Sequence, residues 1–200
     1  MQKVNKDIII CGVGGQGTVL ASKILAASAM QEGNTVHSAE TIGMAQRGGS
    51  VTSHVRIGGE ARSPLIPFYS AEIMLAFEPA EAVRNLKYLD KSGVAVVNTA
   101  ATKPVTESLS PSGYESAVMT EYLEKKRDCI FVNSREICKP FGSEKFFNII
   151  MLGVSAGSGK LGISKDTLLS QIKKRVPEKF VEANIKAFTA GYEAGQNAGK

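Results

Sequence analysis

Four β-preferring residues, Ile8-Ile9-Ile10-Cys11, run directly into Gly12-Val13-Gly14-Gly15-Gln16-Gly17, and a helix-compatible stretch from Thr18 to Gln31 follows without a spacer. This succession constrains the fold more than any other feature of the chain. A strand with no polar residue must be covered on both faces, which is the condition of a buried, mostly parallel sheet. The helix that follows supplies one cover, and its small residues (Ala21, Ser22, Ala26, Ala27, Ser28 and Ala29) permit close packing on the sheet. The turn between them fits G-x-G-x-x-G, with Gly12, Gly14 and Gly17 at the motif positions. A turn of this kind bares backbone N–H groups at a helix N-terminus, where they favour a phosphate or another anion.

Apolar β-rich runs recur at Ile73–Phe77, Val94–Asn98 and Ile130–Val132, with helical segments between them. Pro79 is placed to start a helix after Glu78, with Val83, Leu86 and Leu89 on one stripe and Gly93 beyond its end. Ala117–Lys126 reads as another helix. In the C-terminal third, 148–156 is apolar, Ser164 is placed to cap a helix, and Pro177 to start the last one. The alternation predicts an α/β fold: a three-layer α/β/α sandwich with a Rossmann-like first unit and a helical C-terminal part. No linker or repeat divides the chain, so residues 1–200 are expected to form a single domain.

Two places break the alternation. A second glycine-containing loop occupies Thr41-Ile42-Gly43-Met44-Ala45-Gln46-Arg47-Gly48-Gly49-Ser50, and a strand follows it. Val51, Val55 and Ile57 alternate there with Thr52, His54 and Arg56, which gives an apolar and a polar face. Gly58-Gly59 then reads as a hairpin-type turn, so an antiparallel pair inserted in a mixed sheet is expected. The other break is 103–113, rich in Ser, Thr and Pro, which reads as an irregular surface loop.

Read as a dinucleotide site, the first loop would use Gly12 for the tight turn, Gly14 for approach of the pyrophosphate and Gly17 for helix packing. Glu40 would then be the acidic residue for the ribose. The same loop could also be a tight turn that binds nothing. In the second loop Arg47, between Gln46 and Gly48-Gly49, can offer a guanidinium and bare N–H groups to an anion. His54 and Arg56 are either further anion contacts or the solvated face of a hairpin. Glu78 and Glu81 suit the first turn of a helix, and Ser155 and Ser158 lack a nucleophile-elbow setting. No catalytic residue is assigned.

Composition removes several classes. The chain has three cysteines, Cys11, Cys129 and Cys138, with no C-x-x-C pair, too few for a [4Fe–4S] cluster. Two isolated histidines, His37 and His54, do not make a zinc site, so no metal site is predicted. The net charge of +5 is modest, and the basic triplets 125–127 and 173–175 fall at predicted helix ends without interleaved aromatics, which argues against nucleic acid. No apolar run spans a bilayer and the N-terminus carries no signal region, so no membrane association and a cytoplasmic location are expected.

With both loops in view, the chain resembles the gamma-type domain of the 2-oxoacid:ferredoxin oxidoreductases. The resemblance rests on 12–17, Ala21-Ser22, Gly43-Met44-Ala45-Gln46-Arg47-Gly48-Gly49-Ser50-Val51 and Ser53-His54-Val55-Arg56. It continues through Leu75-Ala76-Phe77-Glu78-Pro79, Val97-Asn98-Thr99, Asn148-Ile149-Ile150-Met151-Leu152-Gly153 and Asn184-Ile185-Lys186-Ala187-Phe188, and so covers nearly the whole chain. The Met-Ala-Gln-Arg-Gly-Gly-Ser form of the second loop is most similar to the beta subunits of the indolepyruvate type.

The resemblance implies an oxidoreductase that converts aryl 2-oxo acids to acyl-CoA and carbon dioxide with ferredoxin as electron acceptor. It implies that thiamine diphosphate, magnesium and the [4Fe–4S] clusters belong to a large alpha subunit, and that this chain binds none of them alone and is inactive alone. It further implies a covering role over the active site, where coenzyme A enters and a reactive intermediate must be shielded from water. The cofactor-binding set is then Gly12, Gly14, Gly15, Gln16 and Gly17, facing the diphosphate of coenzyme A, with Gln46, Arg47, Gly48, Gly49 and His54. Arg47 would meet a phosphate or an acidic residue of the partner, and His54 would do the same or fix the loop. The alternatives are a gamma subunit for pyruvate or 2-oxoglutarate, a free-standing NAD(P)- or flavin-binding oxidoreductase, and a non-catalytic nucleotide sensor.

Overall fold

The computed structural model describes residues 4–43, 48–59, 63–102 and 113–198. Gln46 and Arg47 of the second loop, and all of 103–113 except Gly113, lie outside the described residues.

The strands are β1 (Lys6–Val13), β2 (Val36–Ile42), β3 (Ser50–Ile57), β4 (Ala71–Ala76), β5 (Leu89–Asn98) and β6 (Asp128–Val132). They form one sheet in the order β2-β3-β1-β4-β5-β6. β1, β4, β5 and β6 are mutually parallel, while β3 runs antiparallel to both β1 and β2. The helices are α1 (Thr18–Gln31), α2 (Pro79–Asn85), α3 (Ser116–Glu124), α4 (Ser134–Ile137), α5 (Phe147–Gly157), α6 (Lys165–Arg175) and α7 (Val181–Ala198).

Successive residues of the central strands enter different cores, as the two-residue period of a strand requires. Ile8 and Ile10 of β1 join Ile73 and Leu75 of β4 under α1, α5, α6 and α7. Ile9 and Cys11 join Met74 and Ala76 under α2 and α3, represented by Ala82 and Leu123. The expected three layers are therefore present, and Ile8–Cys11 is fully buried.

Two details differ from the sequence reading. The helix beginning at Pro79 is short. It ends at Asn85, passes through a single 3-10 turn at Leu86–Tyr88, and Leu89 already belongs to β5. Leu89 pairs with Ala71, and Gly93 lies inside the strand, where a Cβ would meet the Ala71 carbonyl oxygen at 2.9 Å. Secondly, Gly58-Gly59 does not form a hairpin. The antiparallel partner of β3 in sequence is the preceding strand β2, joined through the second glycine loop. Gly58 and Gly59 both have positive φ, and the Gly58 N–H donates to the Thr35 carbonyl, which turns the chain toward β4 on the far side of β1.

One seam in the helical layer was not anticipated. Gly153 and Gly157 of α5 face Gly191 and Gly195 of α7. A Cβ on Gly157 would collide with the Tyr192 carbonyl, and one on Gly191 with the Ile150 carbonyl. The two helices touch backbone to backbone.

Candidate functional site

The glycine loop lies at the carboxyl ends of the parallel strands, where ligands bind in open α/β sheets. α1 leads from β1 toward β2 and β3 on one side, and α2 leads from β4 to β5 on the other. The connections from these two parallel strands leave toward opposite edges of the sheet, so the crevice above β1 and β4 is bordered by 12–17 and by Phe77-Glu78.

The structure joins the two glycine loops. The register Gly12↔Val51 and Val13↔Ser50 brings β3 in beside the end of β1. The Gly14 N–H then donates to the Gly49 carbonyl at 2.8 Å, and the Gly48 N–H donates to the Gly14 carbonyl at 3.2 Å. Gly14 is thus committed to the second loop. Gly15 has φ +101°, and a Cβ there would meet nothing within 4 Å, so its outer side faces open space. Gly17 caps α1 in the left-handed region, and Asn148 occupies the place a side chain would need. No side chain caps α1, and its first turn carries no acidic residue. The positive end of a 14-residue helix is thus uncapped by any side chain beside the open face of Gly15, an arrangement that favours negative charge.

Gln16 is a clasp. Its Oε1 accepts the Val13 N–H at 2.8 Å, closing the turn, and its Nε2 donates to the Phe77 carbonyl at 3.0 Å and to Thr102 Oγ1 at 3.3 Å. Its side chain therefore shapes the loop and fastens it across the crevice. Asn98, at the end of β5, donates to the same Phe77 carbonyl at 3.0 Å and to the Ala100 carbonyl. Its Oδ1 accepts the N–H groups of Ala100 and Ser134. Gln16 and Asn98 together tie the ends of β1, β4, β5 and β6 into one rim. Sequence reasoning missed the role of Asn98, although a lone amide closing an apolar strand run is a readable signal.

Glu78 and Glu81 are both buried, at 1% exposure. Glu78 accepts the Ala80 and Glu81 N–H groups as the N-cap of α2, and also the Tyr114 hydroxyl. Glu81 accepts Ser50 Oγ at 2.6 Å and pairs with Arg84. Burial, and then the bond to Glu78, raise the Tyr114 hydroxyl above the usual phenol range. The Cys11 thiol is pushed well up by burial and then by Glu81 and Glu78, so it stays a neutral packing group.

His54 is not brought to the loops. It is 3% exposed, four residues down β3 from Ser50, with Nδ1 accepting the Ile66 N–H at 3.2 Å and its ring edge-on to Tyr88 at 5.0 Å. Burial lowers its pKa, which keeps the imidazole neutral and able to accept. Arg56 pairs with Asp7 at 2.9 Å. The polar face of β3 is therefore a packed ladder, Ser50 to Glu81, Thr52 to Asn85 and His54 to Ile66, rather than a solvated face. Glu40 is held by Ser22 Oγ at 3.0 Å, and β3 stands between β2 and β1. The acidic residue is thus not on the strand next to the glycine loop, where a dinucleotide ribose requires it. Among the described residues no group of three His, Cys, Asp or Glu stands together as a metal site, and no helix is long and apolar enough to cross a membrane.

Residues 7–194 match the family model described as pyruvate ferredoxin/flavodoxin oxidoreductase. The chain is 38% identical to the indolepyruvate oxidoreductase subunit IorB of Archaeoglobus fulgidus, covering 93% of each chain. It is 25% identical to the pyruvate synthase subunit PorC of Methanothermobacter marburgensis, covering 96% of this chain and 99% of that one. The keto/oxoacid ferredoxin oxidoreductase gamma subunit of Geobacter sulfurreducens has the same fold, with a TM-score of 0.71 at 24% identity over 96% of this chain and 99% of that chain. By the extent of the family match and by these full-length likenesses, the chain belongs to the pyruvate ferredoxin/flavodoxin oxidoreductase family.

Proposed function

We propose that the chain is the small subunit of an indolepyruvate:ferredoxin oxidoreductase, which converts arylpyruvates to acyl-CoA and carbon dioxide in the cytoplasm while reducing ferredoxin. The observation that carries the reading is the nearly full-length identity of 38% to an indolepyruvate oxidoreductase subunit, against 25% to a pyruvate-type subunit over a similar span. Thiamine diphosphate, magnesium and the iron–sulfur clusters would reside on a larger partner subunit and supply the decarboxylation and electron-transfer chemistry. Three cysteines cannot hold a four-thiolate cluster alone.

This chain's own part is to bind and to exclude. The uncapped N-terminus of α1 and the open side of Gly15 suit the diphosphate of coenzyme A. Gly48 and Gly49 brace that loop through Gly14, and Gln16 holds its shape. Arg47, two residues from Gly49 in sequence, would add a guanidinium for a phosphate or for a carboxylate of the partner. His54 is assigned no ligand contact. A covering surface of this kind keeps water from the partner's active site until coenzyme A arrives.

Reconstitution with the large partner subunit tests the reading. Ferredoxin reduction should require both chains, coenzyme A and an arylpyruvate, with pyruvate and 2-oxoglutarate turned over at least tenfold less efficiently. Full activity of the large subunit alone, preference for pyruvate, or tight binding of NADH or FAD by this chain in calorimetry would each overturn it.

A further inference from the structure

The ladder on β3 ends in a feature unrelated to the glycine loops. Segment 63–70, between β3 and β4, displays Leu65, Phe68 and Tyr69 at 53, 59 and 58% exposure. Tyr69 has φ +59°, the one non-glycine residue with positive φ among the described residues. A tyrosine held there is strained, and such strain persists only where the surroundings enforce it. They do so here from both sides. Tyr69 and Ser70 donate their N–H groups to the Lys87 and Tyr88 carbonyls at 2.9 and 3.0 Å. From beneath, His54 accepts the Ile66 N–H, and Arg56 donates to the Ser63 carbonyl at 3.1 Å. Phe68 lies on Tyr88 with ring centroids 5.2 Å apart, and Lys87 Nζ stands 5.3 and 5.4 Å over the two rings. The buried His54, the half-buried Arg56 and a strained backbone are thus used to hold three large apolar groups out in solvent. Among the described residues Phe68 packs only one side, on Tyr88, and more than half of each of the three side chains stays exposed.

We propose that this platform docks the large partner subunit, on an apolar hollow with carboxylates at its edge. The inference rests on the subunit reading above, and Lys87 selects the occupant. A two-fold contact between copies would bring two such basic platforms together on chains of net charge +5 with no carboxylate supplied for Lys87, whereas an acidic-rimmed hollow would pair it. The aromatic pair, rigid and preorganised, fits the central anchor of such an interface.

Binding of purified variants to the large subunit, read by calorimetry, tests it. The double substitution Phe68→Ser with Tyr69→Ser should weaken binding at least a hundredfold, and Lys87→Glu about tenfold. Tyr69→Gly separates docking from folding. It relieves the positive φ, so the melting temperature should rise by about 2 °C while binding weakens about tenfold. A stability gain with unchanged binding overturns the proposal, as does wild-type affinity in the double variant or in Lys87→Glu. An isolated chain that dimerises in light scattering and is dispersed by Phe68→Ser also overturns it, in favour of a second copy. Failure of the wild-type chain to bind the large subunit overturns the function reading as well. Wild-type binding with indifferent variants overturns this inference alone.

Discussion

Gly15, beside the head of α1, faces open space, whereas Gly157 in α5 is pressed against the Tyr192 carbonyl of α7. Both positions exclude a side chain, for opposite reasons. In the loop the backbone takes φ +101°, which L-residues rarely adopt, and its outer side is open. In the seam the dihedrals are helical and the constraint is contact. Glycine within a helix costs about 1 kcal/mol relative to alanine, so four of them across α5 and α7 are tolerated only because the backbones meet. A glycine that destabilises its own element therefore reports packing, while one with positive φ and open surroundings reports a turn.

Substitutions can break that contrast. The largest effect is expected from Gly191→Val, which drives a branched side chain into the Ile150 carbonyl. It should cost on the order of 3 kcal/mol, measured by urea unfolding, with little left to measure in activity beyond lost protein. Gly157→Ala tests the seam more gently. Despite the better helix propensity of alanine, it should destabilise by about 1–3 kcal/mol, and a gain in stability would mean that α5 and α7 do not touch as described. Gln16→Leu strikes the loop's internal clasp, leaving the Val13 N–H without its acceptor. A loss of about 2 kcal/mol is expected, with a raised KM for coenzyme A in the reconstituted complex. Gly15→Ala should cost about 1 kcal/mol in stability yet raise that KM about tenfold, the worth of one hydrogen bond to a charged group. If stability falls and the KM holds, Gly15 belongs with the seam as a structural glycine.

The smallest effect is one of pH, at His54 on the ladder between these regions. Its folded pKa lies below the ordinary 6.5 because burial disfavours the imidazolium. The unfolded chain therefore takes up the proton first, and stability present above pH 6.5 is lost as the pH falls below it. The melting temperature should drop through that range more steeply in the wild type than in His54→Gln, and equal slopes would remove His54 as the source.

Much of the fold was legible. The unbroken apolar run of β1 announced a strand buried on both faces, and the glycines after it marked the turn into α1. Pro79 signalled a helix start, which the structure bears out, and it places Glu78 just before it as the N-cap, with two N–H bonds to the carboxylate. The end of α2 was not legible, because Leu86 and Leu89 fit a helical stripe as well as a strand, and only pairing with Ala71 decides for β5. The spacing of Gly153 with Gly157 and of Gly191 with Gly195 was also there to be read. It marks a face without saying what it meets.

The alternating face of β3 misled for a related reason. Periodicity shows which side chains share a face, but not whether water or protein covers it. His54 and Arg56 look like exposed contacts until segment 63–70 is laid over them and takes up their hydrogen bonds.

The sequence by itself determined the local chemistry of this protein: a buried strand, an uncapped helix behind a glycine turn, a second glycine loop, and too few thiols for a cluster. These follow from residue type and spacing within one element. Only the tertiary structure decided that Gly14 is bonded to Gly48 and Gly49, that β3 separates Glu40 from the first loop, and that His54 is buried with its Nδ1 accepting the Ile66 N–H. Each depends on strand order and register between segments far apart in sequence, and residue spacing carries no information about that pairing.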